Sequence, residues 1–590
     1  MPTLNFKGKA VIETYHHTVP HHRLEFDDKL SLLPKGEKPS LDGNLIIEGD
    51  NLLALKALLP THAGKIKCVY IDPPYNTGNE GWVYNDNLTQ PQFKEWIGKT
   101  VGKEGEDATR HDKWCCMMYP RLQLLKELMR DDGVIFVSLD DTELHNLRSL
   151  LDEVFGLENR VATIIWKGAT DNNPTRIAVE HENIVCYAKT LEKTDAVWNQ
   201  PNPPAKLFML KEFAAIKSKH ASLAEQRRLF RDFIRKNREQ CAPLTHYDRI
   251  DDRGPYTGSR KVHNPGKEGY RYDVIHPVTK RPCKMPARGY RYPWETMKPL
   301  IDAKKIIYGQ DENQIIQIKE YLEDYEGTLK SVIVLDSRAA ANSLEAIFGN
   351  RETFKGPKPV ELIKELVGFV TGPGDLILDS FAGSGTTGEA VLNLNVGPTE
   401  PRRFILVQMP YDTNEQKAAA HNICRTITSE RVRRVASGYD RKRTDRAGKS
   451  KVDHMRGFGG SFSYVNVGDP LFGEYRDLGD KLPRFEELAK YIFYTETSRE
   501  CDLKKIDEKT GFIGSTTAAG GTSYYLLYTP NNKEDRELST ETLKALLQKD
   551  KNRTWVIYCE KIWLHGDTLR KFEKDNGKRV RPMLVPFNLK

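Results

Sequence analysis

"LILDSFAGSGTTGEAV", residues 376–391, reads as a strand, a tight loop of small residues and the start of a helix. Leu376, Ile377 and Leu378 form an uninterrupted apolar run, as a strand covered on both faces requires. Asp379 closes the run. Gly383 and Gly385 then remove side chains where a backbone must approach something closely, and Ser384, Thr386 and Thr387 supply hydroxyls at a helix start. A loop placed after a strand and before a helix is the ligand crevice of a doubly wound α/β sheet. Two commoner phosphate loops are excluded. The chain contains no G-x-x-x-x-G-K-[ST], and the third glycine of a dinucleotide fingerprint is missing here. A purely structural tight turn stays open for the loop taken alone.

The flanking sequence alternates between the two periodicities. "PVELIKELVGFV" (359–370) is helical and "RRFILVQ" (402–408) is a strand. Far upstream the same alternation runs through "NLIIEGD" (strand), "NLLALKALL" (helix) and "KCVYID" (strand). It continues through "YPRLQLLKELMRDDG", an amphipathic helix ended by Gly133, and then "VIFVSLDD", "ELHNLRSLLDEVF", "VATIIWK" and "HENIVCYAK". Such alternation predicts a mostly parallel, doubly wound sheet. The pattern stops near Thr190 at the Pro-rich step "NQPNPP" and returns after Thr353. One α/β domain in two separated halves, with a segment inserted between them, is the simplest account. The expected organisation is an N-terminal arm (1–43), a first half-domain (44–190), an insert (191–352), a second half-domain (353–436), a charged linker (437–456) and a C-terminal α+β module (457–590).

The first half-domain contains "YIDPPYNTGN", residues 70–79. An apolar strand ends at Asp72, and Pro73 and Pro74 then stop any ladder or helix, because each lacks an N–H and fixes φ. The product is a stiff loop presenting a carboxylate, two carbonyls and the ring of Tyr75. Asp, Pro, Asn and Gly are also ordinary turn residues, so the loop alone is ambiguous.

Composition narrows the class. With 590 residues, 38% hydrophobic and 29% charged, the chain supports several domain-sized units with ample core. It has no apolar run long enough to span a bilayer, and "MPTLNFKGKA" lacks the apolar core of a signal peptide. Nine cysteines occur without a C-x-x-C pair, and the adjacent Cys115 and Cys116 suit neither zinc nor a mutual disulfide. A reducing, cytoplasmic setting is expected. In "YHHTVPHH" (15–22) no acid or cysteine completes a metal set, so a packed or solvated histidine cluster is expected and no metal site. The net charge of +8 is unevenly placed. Residues 206–300 hold 22 Lys and Arg against 10 Asp and Glu, which leaves the rest of the chain slightly acidic. That asymmetry points to a polyanion partner for the insert.

Taken together, D-P-P-Y after one strand and F-A-G-S-G-T-T after another resemble the catalytic and cofactor motifs of S-adenosylmethionine-dependent amino-methyltransferases. Their order, with the catalytic motif first and a recognition-like insert between, resembles the β class of DNA methyltransferases. "DPPYNTGNEGWVYNDN", "MMYPRLQLLKELMRDDGVIFVSLDD" and "EHENIVCYAKT" look particularly like the modification (Mod) subunits of Type III restriction systems. The resemblance implies a seven-stranded-type, Rossmann-like methyltransferase sheet, and site-specific methylation of the adenine N6 amino group in double-stranded DNA. It implies Asp72, Pro73, Pro74 and Tyr75 as the catalytic tetrad. Asp72 and a carbonyl would bind the amino protons, and Tyr75 would stack on a base flipped out of the duplex.

For the cofactor, S-adenosylmethionine, the resemblance implies Asp50 toward the adenine, and Phe354 and Lys358 in "TFKGPKPVELIKEL" toward the methionine end. Asp379, Phe381, Gly383, Gly385 and Thr386 would form the binding loop. Gln408 stands where many relatives carry an acid for the ribose, and an amide still hydrogen-bonds a ribose. Trp166 is a candidate wall of the base pocket and equally a core tryptophan. In the insert, Arg227, Arg228, Arg235, Arg271 and Arg291 are candidate DNA contacts, interleaved with Tyr247, Tyr256, Tyr270, Tyr272, Tyr290, Tyr292 and Trp294. The run from Arg431 to Lys451 reads as a flexible linker or a backbone contact. The partners implied are double-stranded DNA, a second copy in a homodimer, and a restriction (helicase and nuclease) or other defence subunit. Two alternatives remain: N4-cytosine methylation, and a non-catalytic specificity subunit.

Overall fold

The computed structural model describes residues 4–77, 107–168, 176–200, 203–264, 266–396, 400–411, 414–444, 450–471, 482–517, 521–530, 536–564 and 566–585. They form two compact units, one comprising residues 1–196 and 330–590 and the other residues 197–329.

The larger unit is built on ten strands: β1 (His22–Leu32), β2 (Leu45–Glu48), β3 (Ile66–Ile71), β4 (Met129–Leu139), β5 (Arg160–Lys167), β6 (His181–Ala188), β7 (Val332–Val334), β8 (Leu376–Asp379), β9 (Arg403–Gln408) and β10 (Phe462–Pro470). Their order across the sheet is β1-β10-β2-β9-β8-β3-β4-β6-β5-β7. The block β10-β2-β9-β8-β3-β4 is parallel throughout. β6 runs antiparallel to both β4 and β5, and β1 runs antiparallel to β10. The central strands read as apolar runs because both faces are covered. Leu45, Ile47, Val69, Ile71, Leu376, Leu378, Ile405 and Val407 share one core with α1 (Asn51–His62), α2 (Asp107–Leu128) and α3 (Leu144–Phe155). Their neighbours of opposite parity, Ile46, Cys68, Tyr70, Ile377 and Leu406, are equally buried on the other face. There α4 (Val360–Val370), α5 (Thr386–Leu394) and α6 (Glu430–Ser437) follow, and Gly388 lets α5 sit against Leu406 and Phe404.

The doubly wound expectation is met, with ten strands in place of seven. The connection β3–α2–β4 runs to one side of the sheet while β8–α5–β9 runs to the other. The chain therefore reverses direction between β3 and β8. That reversal leaves a crevice at the carboxyl ends of these two neighbours.

Four segment expectations are corrected. The N-terminal arm is part of the main fold: Ile12, Tyr15 and Val19 enter the main core, and β1 pairs at the edge of the sheet. The helix ending at Gly133 stops at Leu128, and β4 begins at Met129. Gly133 lies inside β4, where a Cβ would come 2.8 Å from the Arg130 carbonyl and 3.0 Å from that of Ile66. It thus fits a register shift between β3 and β4 rather than a helix stop. The supposed linker is an antiparallel hairpin, Gly438–Thr444 with Ser450–Arg456. Residues 462–470, assigned to the C-terminal module, complete the main sheet as β10. Beyond them a four-stranded sheet, Phe512–Thr516, Thr522–Leu527, Thr554–Cys559 and Arg579–Leu584, carries the helices Phe485–Thr497, Thr540–Lys549 and Gly566–Asn576, as the expected α+β module.

The smaller unit spans residues 197–329 rather than 191–352. Helices Pro204–Lys219 and Leu223–Lys236 pack through Phe213 of the first and Phe230 and Ile234 of the second, the latter two from the apolar stripe of "EQRRLFRDFIRKNRE". A four-stranded antiparallel sheet follows, and a second core holds Val262, Val274, Tyr290 and Met297.

Candidate active site

Both motifs lie at the reversal. Asp72 follows β3, and Asp379 ends β8, its neighbour in the sheet. The loop after β8 is braced from three sides. Asp379 is buried, and its carboxylate accepts from the Phe381 N–H at 3.0 Å and from the Thr387 hydroxyl. Burial pushes its pKa up to about 7, opposed by those two hydrogen bonds and reinforced by Asp72. Gly383 donates its N–H to Gln408 Oε1 at 2.6 Å, and its carbonyl accepts from the Thr428 hydroxyl at 2.6 Å. Gly385 has φ +81°, and a Cβ there would lie 2.9 Å from the Thr428 carbonyl oxygen. Only glycine combines that φ with that approach.

α1 brings the third piece. Asp50 caps the helix, accepting from the Leu52 N–H at 2.8 Å, and lies 3.6 Å from the buried Arg121. Asn51 donates to the Ser380 carbonyl at 2.8 Å, which ties the start of α1 to the loop after β8. Asp50, residues 380–385 and Gln408 therefore all lie at the carboxyl ends of the adjacent strands β2, β8 and β9.

Across the crevice the D-P-P-Y loop is fixed from behind. The Pro74 carbonyl accepts the Trp114 indole N–H at 2.8 Å. Asn76 turns the chain at φ +61°, and its amide donates to the buried Glu143, which also lies 2.5 Å from His111. In front, four polar groups converge. The Tyr75 hydroxyl is 3.0 Å from Asp72 Oδ1 and 2.6 Å from Glu182 Oε2. Lys358 Nζ is 3.0 Å from Asp72 Oδ2, 3.1 Å from Glu182 Oε2 and 2.8 Å from the Tyr75 hydroxyl. Burial raises the Asp72 pKa, more than the Lys358 ammonium lowers it, and Glu182 adds to the rise. Burial also opposes the charge on Lys358, but the two carboxylates outweigh it and hold its pKa above the ordinary value. Burial and then the same carboxylates keep the Tyr75 phenol neutral.

Segment 354–358 joins the two loops. Phe354 lies over the glycine loop, 3.2 Å from where a Gly383 Cβ would stand, and Lys358 reaches Asp72. Several expected roles shift accordingly. The Lys358 ammonium belongs to the D-P-P-Y cluster, and its main-chain oxygen is what approaches the Thr386 hydroxyl, at 3.4 Å. Gln408 is 1% exposed, with Oε1 on Gly383 and Nε2 on the Met409 carbonyl, so its amide braces the loop rather than facing a ribose. The Phe381 ring packs into the core. Trp166 is 2% exposed, its indole N–H donates to the Leu335 carbonyl, and it backs Lys358 at 5.8 Å.

Two residues escaped the sequence reading. Glu182 is the second residue of β6, in the polar start His181–Asn183 before the apolar run Ile184–Ala188, and such an acid is usually a solvated strand end. Arg431 was taken as part of a charged run, yet it is 0% exposed. It donates to Glu389 at 2.7 Å, and to the Ser384 and Thr386 hydroxyls at 2.8 Å each, from beneath the glycine loop. The signal lay in "ERVRRVAS", where Arg431 shares a helical face with Val432, Val435 and Ala436.

In the smaller unit, Arg228, Arg235, Arg271 and Arg291 are exposed, whereas Arg227 is half-buried on the Ile250 carbonyl at 2.9 Å. Tyr247, Tyr256 and Tyr290 are buried, and Tyr272 stacks on Tyr290 with ring centroids 4.6 Å apart. Much of the aromatic interleaving therefore builds this unit's core. All nine cysteines are free and buried. Glu127, from α2, does come beside His16 and His17, with ligand atoms within 4.8 Å of one another. That acid corrects the expectation that none stands beside these histidines; burial holds His16 down to about 4, and the Lys56 ammonium donates to its carbonyl at 2.9 Å. Among the described residues no helix is long and apolar enough to cross a membrane.

A family model described as DNA methylase, of the N6 and N4 methyltransferases, matches residues 66–409. The Mod subunit of the Type III restriction-modification enzyme EcoP15I from Escherichia coli is 40% identical over 447 residues, covering 74% of this chain and 69% of that protein. The Mod subunit of the EcoPI enzyme of Escherichia phage P1 is 30% identical, covering 76% of this chain and 70% of its own length. That of the StyLTI enzyme of Salmonella typhimurium is 29% identical, covering 67% and 57% respectively.

Proposed function

This chain belongs to the DNA methylase family, alongside the Mod subunits of Type III restriction-modification systems, and from that premise we propose that it methylates the N6 amino group of adenine in double-stranded DNA. The observation that carries the reading is the meeting of the D-P-P-Y loop and the glycine loop at one sheet reversal, joined by Phe354 and Lys358.

The residues present fit S-adenosylmethionine. Ser380 Oγ is buried in the loop after β8 with no hydrogen-bond partner among the described residues, a polar atom awaiting one. Asp50, the backbone of residues 380–385 and the Phe354 ring would hold the cofactor. When bound, it supplies a methyl group on a positively charged sulfur. Asp72 and the Pro73 carbonyl then accept the two amino hydrogens of the target, which favours a pyramidal nitrogen with an available lone pair. The two prolines and Trp114 fix those acceptors before reaction, so little reorganisation is needed as charge develops. The Lys358 ammonium holds the Tyr75 hydroxyl at 2.8 Å, 4.9 Å from the ring centroid, and the flipped base stacks on the face of that ring. No thiol attack is required, in keeping with cysteines that are all buried.

The smaller unit is read as the target-recognition domain, with its exposed arginines on phosphates and base edges. The protein would act as a homodimer in the cytoplasm, beside a restriction subunit that cleaves DNA. The test is to incubate the protein with methyl-labelled S-adenosylmethionine and mixed-sequence duplex DNA. Label retained on the DNA is the expected result, and folded protein that leaves the DNA unlabelled would refute the reading.

A further inference from the structure

Methylating an amino group releases a proton, and the site contains a route for it. The Tyr75 hydroxyl stands between Asp72 Oδ1, at 3.0 Å, and Glu182 Oε2, at 2.6 Å. Glu182 is the second residue of β6, in register with Trp166, so a strand of the sheet fixes its position rather than a loop. Its side chain is 31% exposed, against 23% for Asp72, and the base in the pocket would cover Asp72 further. Lys358 spends its donors on Asp72, Tyr75 and Glu182, which holds two carboxylates together that would otherwise repel.

We propose that Glu182 is the end of a proton path from the target amino group, acting through Tyr75; the proposal rests on the methyltransferase reading above. The steps balance. The amino nitrogen uses its lone pair to form the new N–C bond, and the C–S bond pair leaves with sulfur. An N–H proton then passes to Asp72, restoring the pair on nitrogen. Asp72 returns it to the Tyr75 oxygen as the phenolic proton moves to Glu182, so Tyr75 ends neutral. Glu182 exchanges the proton with water. The high pKa of Tyr75 suits this, because the phenol relays without ionising. The titratable groups facing Glu182 are Asp72 and Tyr75 from the loop after β3, Tyr70 on β3, and Lys358 from the segment before α4. Glu182 acts here as a positioning and relay residue, since it touches the reacting atoms only through Tyr75.

The test is the single-turnover rate of label transfer at saturating S-adenosylmethionine and DNA, for the wild type, Glu182→Gln, Glu182→Asp, Tyr75→Phe and the double variant Tyr75→Phe/Glu182→Gln. Tyr75→Phe keeps the stacking ring and removes the relay. Glu182→Gln should slow transfer on the order of 100-fold, the low end for loss of an acid–base group. Tyr75→Phe should slow it comparably, and the double variant no further, since both break one path. Glu182→Asp should recover part of the rate. A wild-type rate in Glu182→Gln, or multiplicative losses in the double variant, would overturn the proposal. Transfer by the wild type tests the parent reading separately, because the relay is judged only from ratios to that rate. A wild type that transfers nothing overturns both.

Discussion

Asp72 follows β3 and Asp379 ends its neighbour β8, and the two acids serve differently. Asp72 is held by Lys358 and Tyr75, and it is the acceptor on which the proposed transfer depends. Asp72→Ala should abolish methyl transfer while leaving duplex binding, measured by anisotropy, within about twofold, because the phosphate contacts dominate affinity. Retained transfer would remove Asp72 from the mechanism. Asp379 instead holds its own loop, and burial raises its pKa to about 7. An unfolded aspartate titrates near pKa ~3.9, so between these values the folded chain keeps a proton that the unfolded chain has lost. Its contribution to stability is therefore present at low pH and is lost as pH rises through about 7. Asparagine has no such titration. The melting temperature of the wild type relative to Asp379→Asn should fall as pH rises from about 4 to about 8, and a constant difference would contradict the assignment.

At the level of elements, the glycine loop stays in shape because α6 reaches under it. Arg431 satisfies Glu389, Ser384 and Thr386 while wholly buried. Removing one member of a buried ion pair strands the other, at a cost of about 3–5 kcal/mol. Arg431→Met should lower stability by that order in denaturant titration and weaken S-adenosylmethionine binding. Unchanged values in both measurements would make Arg431 incidental. The strands of this layer were legible in the sequence, because "LILD", "FILV" and "KCVYI" are apolar without alternation and so demand cover on both faces. The end of α2 was not. Gly133 reads as a helix stop, but its role is to clear two carbonyls inside β4, which local sequence does not encode. Arg431 was missed for a related reason: burial of a charge depends on partners that are more than 40 positions away in sequence.

Over the whole molecule, two half-domains close one sheet, and the inserted unit holds the exposed arginines. The catalytic and cofactor motifs could be read from local sequence, since each is a strand followed by an unusual loop. Their junction through Phe354 and Lys358 could not, nor could Glu182, because it arises only when β6 pairs beside β4. The aromatics of the insert misled in the opposite sense, since tyrosines that suggest base stacking mostly fill its core. DNA contact should therefore reside in the surface charges. Replacing Arg228, Arg235, Arg271 and Arg291 together by Ala should weaken duplex binding and lower the slope of log affinity against log salt by about 3–4, roughly one per lost phosphate contact. Binding of S-adenosylmethionine should be unaffected, and an unchanged slope would place the DNA elsewhere. The most direct test of the whole account is the identity of the modified nucleoside after DNA methylated by the wild-type protein is digested and resolved by mass spectrometry. N6-methyl-2′-deoxyadenosine from the duplex is the result predicted; N4-methyl-2′-deoxycytidine alone, or unmodified nucleosides throughout, would contradict it.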